Sequence, residues 1–131
     1  MELDDIRRQA LAAREFPVAI EHASRRISFT LRIPTRHETR IALQRAGPQD
    51  DAARLLVAER LLLEGAVVAW IGVRIGDVLP EHEPGSDELA FERSAVGLLL
   101  DAQPAWASEL GLQLVDRMAQ RNTAQDTAAK N

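Results

Sequence analysis

The three histidines, and the acidic residues beside one of them, are the side chains best suited to catalysis or metal binding. His22, His37 and His82 are far apart, and no pair has the i, i+4 spacing with which a helix presents two imidazoles to zinc. Glu81 and Glu83 flank His82 in a polar segment typical of a loop, where adjacent side chains diverge. General acid–base catalysis needs groups aimed at one atom. The sequence therefore predicts neither a metal site nor a catalytic pair.

Motifs for a nucleophile or for a bound phosphate are also missing from the sequence. There is no cysteine, and no serine lies in a G-x-S-x-G motif, which would expose its hydroxyl at a strand-to-helix turn. Gly72 and Gly76 lie in an apolar segment without the Lys-Ser/Thr pair of a phosphate-binding loop. We therefore expect a protein that is not an enzyme and that needs no cofactor.

Charge is distributed unevenly along the 131 residues. The formal net charge is −4, which argues against general nucleic-acid binding. Residues 1–46 contain nine arginines and six acidic residues, whereas residues 47–131 contain seven basic and fourteen acidic residues. Two segments of opposite charge favour self-association of the chain or docking to a partner of opposite charge. The alternative is an arginine-rich coding sequence that scatters charge without function.

The first residues, Met1 to Arg8, are charged and lack the apolar stretch of a secretory signal. No apolar stretch reaches the roughly 20 residues that a membrane span needs. The lack of cysteine fits a reducing compartment. We therefore expect a cytoplasmic protein without a membrane partner.

Alternating apolar residues predict a β-hairpin near the N-terminus, with strands over 16–20 and 27–33. Such a hairpin is marginally stable alone, so its apolar face should pack on helices. The fold class predicted is mainly α (α+β), with four to five helices and one N-terminal β-hairpin packed on them. We expect one α-rich domain over 1–121, in which 1–15 is a loosely attached helical arm, and a flexible polar tail over 122–131.

Helical periodicity and capping signals define the predicted helices. Thr35 and Glu38 have the spacing of a capping box, and Pro104 suits the first position of the last helix. In that helix Trp106 begins an apolar row at i+4 spacing. The predicted helices cover 2–15, 35–46, 51–70, 88–101 and 104–121.

The helix predicted over 51–70 is the most apolar segment of the chain. Its core stripe, at i, i+3 and i+4 spacing, consists of Leu55, Leu56, Glu59, Leu62, Leu63, Ala66, Val67 and Trp70. Val57, Leu61 and Val68 add apolar surface elsewhere on the cylinder, so we expect another chain to provide part of the cover. The segment that follows, over 70–80, is also apolar and is predicted to contain a short strand at 73–75.

Two groups of residues are candidates for partner binding. One is basic and lies on the hairpin and the next helix: Arg25, Arg26, Arg32, Arg36 and Arg40. The other is apolar: Trp70, Ile71, Val73, Leu79 and Trp106. Trp70 and the turn after it either close the core or form a binding groove. Residues 40–56 also have the layout of a helix-turn-helix, but its second helix is too apolar to read base edges, so protein contact is favoured.

Four short motifs follow one another along residues 27–121: Phe29-Thr-Leu-Arg-Ile-Pro-Thr35, Trp70-Ile-Gly-Val73, Asp77-Val-Leu-Pro80 and Leu98-Leu-Leu-Asp-Ala-Gln-Pro104. In this order the chain resembles the tail assembly chaperones of long-tailed phages and prophages. Such chaperones often have an acidic or polar residue after the tryptophan, where this chain has Ile71. The arginine-rich hairpin is also a departure from the family's pattern.

The resemblance implies a non-enzymatic protein of the host-cell cytoplasm that is absent from the finished virion. Members of the family coat the tape-measure protein, keep it soluble and extended, and recruit the major tail protein that forms the tube. The expected partners are these two proteins and further copies of the chain. The alternatives are a structural protein of the phage tail or neck that stays in the virion, and a small nucleic-acid-binding regulator, which the acidic pI disfavours.

The resemblance also implies a longer form made by programmed frameshifting. Lys130 is the one lysine beside fifteen arginines, and it lies in Ala129-Lys-Asn131. The codons GCA AAA AAC would create the slippery heptamer A AAA AAC at these residues. The hypothesis is that the nucleotide sequence contains this heptamer and an overlapping reading frame, and the codons for 129–131 test it. Any other codons at 129–131 would make the lysine coincidental.

Overall fold

A computed structural model describes residues 1–48, 51–79 and 87–130. Helices dominate this part of the chain, and a three-stranded antiparallel sheet contains the N-terminal hairpin, so the predicted mainly α (α+β) class is confirmed. A short 3₁₀ turn, Arg93–Ala95, precedes the helix that begins at Val96. The elements are α1 (Leu3–Ala12), β1 (Glu15–His22), β2 (Arg25–Arg32), α2 (Arg36–Arg45), α3 (Asp51–Ala66), β3 (Val67–Ile71), α4 (Ile75–Val78), α5 (Val96–Ala102) and α6 (Pro104–Lys130).

The hairpin of β1 and β2 is tighter than the sequence predicts. Its strands reach His22 and Arg25, so only Ala23 and Ser24 form the turn. Their φ angles are +49° and +64°, the left-handed conformation at both positions that matches the twist of adjacent strands. Alternation along both strands directs one apolar row inward: Phe16, Val18, Ile20, Ile27, Phe29 and Leu31.

Phe29 of the central strand lies between the two tryptophans of the core. Its ring centroid is 6.4 Å from that of Trp70 and 6.2 Å from that of Trp106, both edge to face. This geometry is the favourable one for aromatic pairs. The indole N–H of Trp70 donates to the Leu89 carbonyl at 2.8 Å, which satisfies the polar atom of a buried ring. The sheet therefore packs one face on α5 and α6, whose buried residues include Leu99, Leu100, Leu110 and Leu114.

The third strand is not where the sequence predicts it. The long helix ends at Ala66 instead of Trp70, and Val67–Ile71 pairs with β2. Residues 73–75 do not form a strand: Val73 is buried in the core and Arg74 makes a single bridge to Glu88. The prediction was wrong because β-branched and aromatic residues favour a strand where a neighbouring edge is free to pair. The i, i+3 spacing of Val67 and Trp70 fits this strand because one residue bulges between them.

Helices α2 and α3 form a hairpin with a small core of their own. The predicted capping box begins α2, where the Thr35 hydroxyl accepts from the Glu38 N–H and the Glu38 carboxylate accepts from the Thr35 N–H, each at 3.1 Å. Gly47, with φ of +79°, follows the end of α2. The two helices approach closely because alanines fill the space between them: Ala42, Ala46 and Ala58.

Each of the two C-terminal helices differs from the prediction at one end: α5 at its start and α6 at its end. The helix expected over 88–101 begins only at Val96, after the 3₁₀ turn. The last helix begins at Pro104 as predicted but continues to Lys130, past the boundary placed after residue 121. Alanine and glutamine are good helix formers, so the polar segment continues the helix although it offers no core stripe. No helix among the described residues has the length and apolar character to cross a bilayer.

A buried ion pair fixes the hairpin to the segment after β3. The Arg25 guanidinium donates to the Asp77 carboxylate at 2.6 Å and to the Gly72 carbonyl at 3.1 Å. The same carboxylate accepts from the Arg74 N–H at 2.8 Å, and the Asp77 carbonyl accepts from the Gln103 side chain at 3.1 Å. Asp77 is the one buried charged residue in the described part of the chain. It therefore joins the hairpin, α4 and the start of α6.

Replacing Asp77 by asparagine is expected to lower the free energy of unfolding by about 3 kcal/mol, because Arg25 would lose its charged partner in a poorly hydrated place. Urea unfolding followed by tryptophan fluorescence measures the change. Asp101→Asn is the matched control, since its bridge to Arg60 is also 2.6 Å long but its side chain is 76% exposed rather than 9%. The control should cost less than about 1 kcal/mol. Equal losses in both variants would contradict a structural role for the buried pair.

Candidate interaction surface

Three of the ten candidate residues lie in the core. Trp70, Val73 and Trp106 are buried, and both tryptophans pack against Phe29. Of the two interpretations open for Trp70, core closure is therefore the one that the structure supports. A partner at the surface of this fold cannot reach these three side chains unless the core opens.

The basic candidates divide into paired and free arginines. Arg25 is held by Asp77, and Arg32 donates to the Glu38 carboxylate at 3.0 Å. Arg26, Arg36 and Arg40 are exposed to solvent. The positive surface available to a partner is therefore smaller than the row of arginines in the sequence suggests, because part of the row serves the fold.

Ile71 and Leu79, the other two apolar candidates, are exposed. Ile71 is paired with Ser28, which in turn is paired with Ala19, so the three lie side by side on the face of the sheet opposite to the core. The neighbours of Ile71 on this outer face, Ser28 and Ala19, are small. This face is the solvated face that an antiparallel sheet commonly presents.

The first two turns of α3 expose leucines that the sequence predicts to be in the core. Leu63 and Ala66, in the second half of the predicted stripe, are buried, but Leu55 and Leu56 are 53% and 68% exposed. The prediction was wrong for these two residues because α2 covers α3 through Ala58, on another side of the helix. Leu55 and Leu56 therefore form an exposed apolar pair beside Val57. Their helical spacing is the same as that of core residues, so the sequence periodicity alone could not show that they are exposed.

Helix α1 also carries uncovered apolar residues. None of its residues is buried, and Leu3, Ile6 and Leu11 are exposed. The chain after α1 is fixed by Arg14, whose guanidinium donates to the Ile33 and Pro34 carbonyls at 2.7 and 2.6 Å. The helix therefore extends from a well-anchored residue without contributing to the core.

A groove of about 350 Å³ lies between α2, α3 and the start of α5. Its apolar lining includes Ile41, Ala42, Leu61, Leu62, Ala66 and Val96. Charged side chains surround this lining: Arg32, Glu38, Arg45, Glu64 and Arg93. The combination of an apolar floor and a mixed charged rim is typical of surfaces that contact proteins.

The histidines considered for chemistry do not meet. His22 packs edge to face on Trp106 with ring centroids 5.2 Å apart, and His37 is exposed on α2. His82, with Glu81 and Glu83, lies outside the described residues. Among the residues that are described, no group of three His, Cys, Asp or Glu side chains is placed to hold a metal ion.

Comparison of the chain with protein-family models, with curated proteins and with solved structures gives no match.

Removing residues 1–12 is expected to change the free energy of unfolding by less than about 1 kcal/mol, because α1 buries no residue. Phe16→Ala is the comparison, since Phe16 is buried and its loss should cost about 3–5 kcal/mol. Both changes are measured by urea unfolding. Loss of cooperative unfolding in the truncated chain would show that α1 is part of the folded core.

Proposed function

We propose that the chain is a non-enzymatic tail assembly chaperone of a long-tailed phage, which binds the tape-measure protein in the host-cell cytoplasm and helps to recruit tail-tube subunits. The motifs that carry the resemblance lie at structural positions of this fold. Phe29 and Trp70 pack together, Thr35 caps α2 and Pro104 begins α6. Phe29 and Trp70 are buried, and Thr35 and Pro104 serve to begin helices, so we place the binding site elsewhere.

The observation that carries the proposal is the apolar surface on the first half of α3. Ala52, Leu55, Leu56 and Glu59 follow the i, i+3, i+4, i+7 spacing of one helical face, and all four are exposed. Val57, beside them, is exposed as well. Single exposed leucines are ordinary, whereas adjacent ones on one face are typical of a surface that a partner covers.

The mechanism that we propose is shielding of apolar surface. An apolar helical segment of the tape-measure protein would lie along Leu55 and Leu56, and both surfaces would leave water in the same contact. Such a contact is driven by buried area and not by particular hydrogen bonds, so it suits successive segments of a long partner. Tube subunits would later replace the chaperone on the same segments.

Self-association is a second part of the proposal. The N-terminal third of the chain is basic and the remainder is acidic, so copies bound side by side on one partner would present opposite charges to each other. Arg36 and Arg40 are exposed on α2 and can contribute to such contacts. This arrangement would align copies along an extended partner.

The double variant Leu55→Gln and Leu56→Gln is expected to weaken binding of the tape-measure protein by at least about tenfold, because two apolar side chains would no longer be removed from water. Glutamine keeps the helix propensity of leucine to a good approximation, so the fold should persist. The measurement is co-expression with the tape-measure protein, followed by quantification of the soluble complex.

The matched control is Leu98→Gln with Leu112→Gln, two leucines on α5 and α6 that are 60% and 68% exposed. This control should bind like the unchanged chain. Equal loss in both double variants would show that general surface hydrophobicity, and not the first half of α3, holds the partner. Abundant copies of the chain in purified virions would contradict the chaperone role and favour a structural protein of the tail or neck.

A further inference from the structure

A second cavity, of about 570 Å³, lies where the hairpin, the start of α2 and the second half of α6 meet. Three arginines from these three places line it: Arg14, Arg36 and Arg121. Polar side chains, among them Thr35 and Asn122, complete one part of the lining. Its volume is in the range of small-molecule sites in proteins.

The charge in this cleft is not balanced by its own lining. No carboxylate is among the described residues that line it. The acidic group that acts on Arg14 is Glu38, but one of its oxygens accepts from the Thr35 N–H and the other from Arg32. Burial, and next the charge of Arg121, lower the pKa of Arg14, while Glu38 raises it and Arg32 lowers it further. Arginines that repel one another in this way favour an anion between them.

The donors of the cleft arginines are only partly used within the described residues. The Nε of Arg121 has no hydrogen-bond partner there, as is also true of the Nε of Arg32 outside the cleft. Because this Arg121 nitrogen is closed to solvent, it does not itself contact a ligand, and the terminal N–H groups of the side chain are the donors that a ligand would use. Arg14 uses two of the five N–H groups of an arginine for the Ile33 and Pro34 carbonyls. Its remaining donors are available to a ligand held by the other two arginines.

The start of α2 adds to this positive environment. Thr35 satisfies the Glu38 N–H in the capping box, whereas the backbone N–H groups of Arg36 and His37 precede it in the first turn. The N-terminal end of a helix carries a partial positive charge that favours anions. Its contribution is secondary here, because the three guanidinium groups are the larger charges.

We infer that this cleft binds the phosphate group of a small organic phosphate. Guanidinium groups match phosphate oxygens with paired hydrogen bonds, and a phosphate dianion balances three arginines better than a single carboxylate does. The cleft is larger than one phosphate, and Ile33, Pro34 and Met118 give it an apolar wall for the organic part of the ligand. This site is independent of the proposed contact with the tape-measure protein.

The experiment is a titration of the whole chain at low ionic strength with phenyl phosphate, inorganic phosphate and benzoate, followed by isothermal calorimetry and by amide shifts of Thr35 and Thr39. Phenyl phosphate should bind saturably at one site and at least tenfold more tightly than benzoate. Inorganic phosphate should compete with it. Absence of saturable binding, or equal binding of benzoate, would overturn the inference.

The variants test where the ligand binds. Arg36→Gln with Arg121→Gln should weaken phenyl phosphate binding at least tenfold, whereas Arg26→Gln with Arg40→Gln, which removes the same charge from exposed sites outside the cleft, should change it less than twofold. Equal losses would show nonspecific attraction and would overturn the site. Arg36→Gln alone changes an exposed side chain, and its expected loss of threefold or more keeps the test decisive if the Arg121 variant unfolds.

Discussion

The need to cover one face of a small antiparallel sheet governs this fold. Central strand β2 has neighbours on both edges, and its inward row, from Ile27 to Leu31, is almost completely removed from water. An apolar sheet face has to be buried against another layer, and α5 and α6 supply the other half of the core. Once Trp70 and Trp106 enclose Phe29, the positions of β3 and of the start of α6 are fixed with them.

Arginines serve this architecture in two different ways. Arg14 and Arg25 reach across the chain to backbone carbonyls, and Arg25 also holds Asp77. Others remain exposed, and Arg14 also lines the cleft together with Arg36 and Arg121. A guanidinium group has five N–H donors in a fixed plane, so one side chain can donate hydrogen bonds to several backbone carbonyls at once. Where an arginine does not use all five donors within the protein, its remaining N–H groups can bind an anion.

The two proposed binding regions lie at opposite ends of the α2–α3 hairpin. The Arg54 guanidinium donates to the Leu43 carbonyl at 3.0 Å, which fixes the start of α3 beside the end of α2. Leu55 and Leu56 are therefore close to that end, whereas the cleft lies at the first turn of α2. One region is apolar and suits a protein segment, and the other is basic and suits a small anion. Occupation of one need not obstruct the other.

Local features could be predicted from the residues alone: the hairpin from its alternation, the start of α2 from Thr35 and Glu38, and the start of α6 from Pro104. Each depends on residues a few positions apart, so the local sequence contains the information. Three other features depend on tertiary packing: Val67–Ile71 pairs with β2, Leu55 stays uncovered, and the Arg121 Nε has no partner among the described residues. These depend on which distant segments supply an edge, a cover or an acceptor, and periodicity along the chain has no information on that choice.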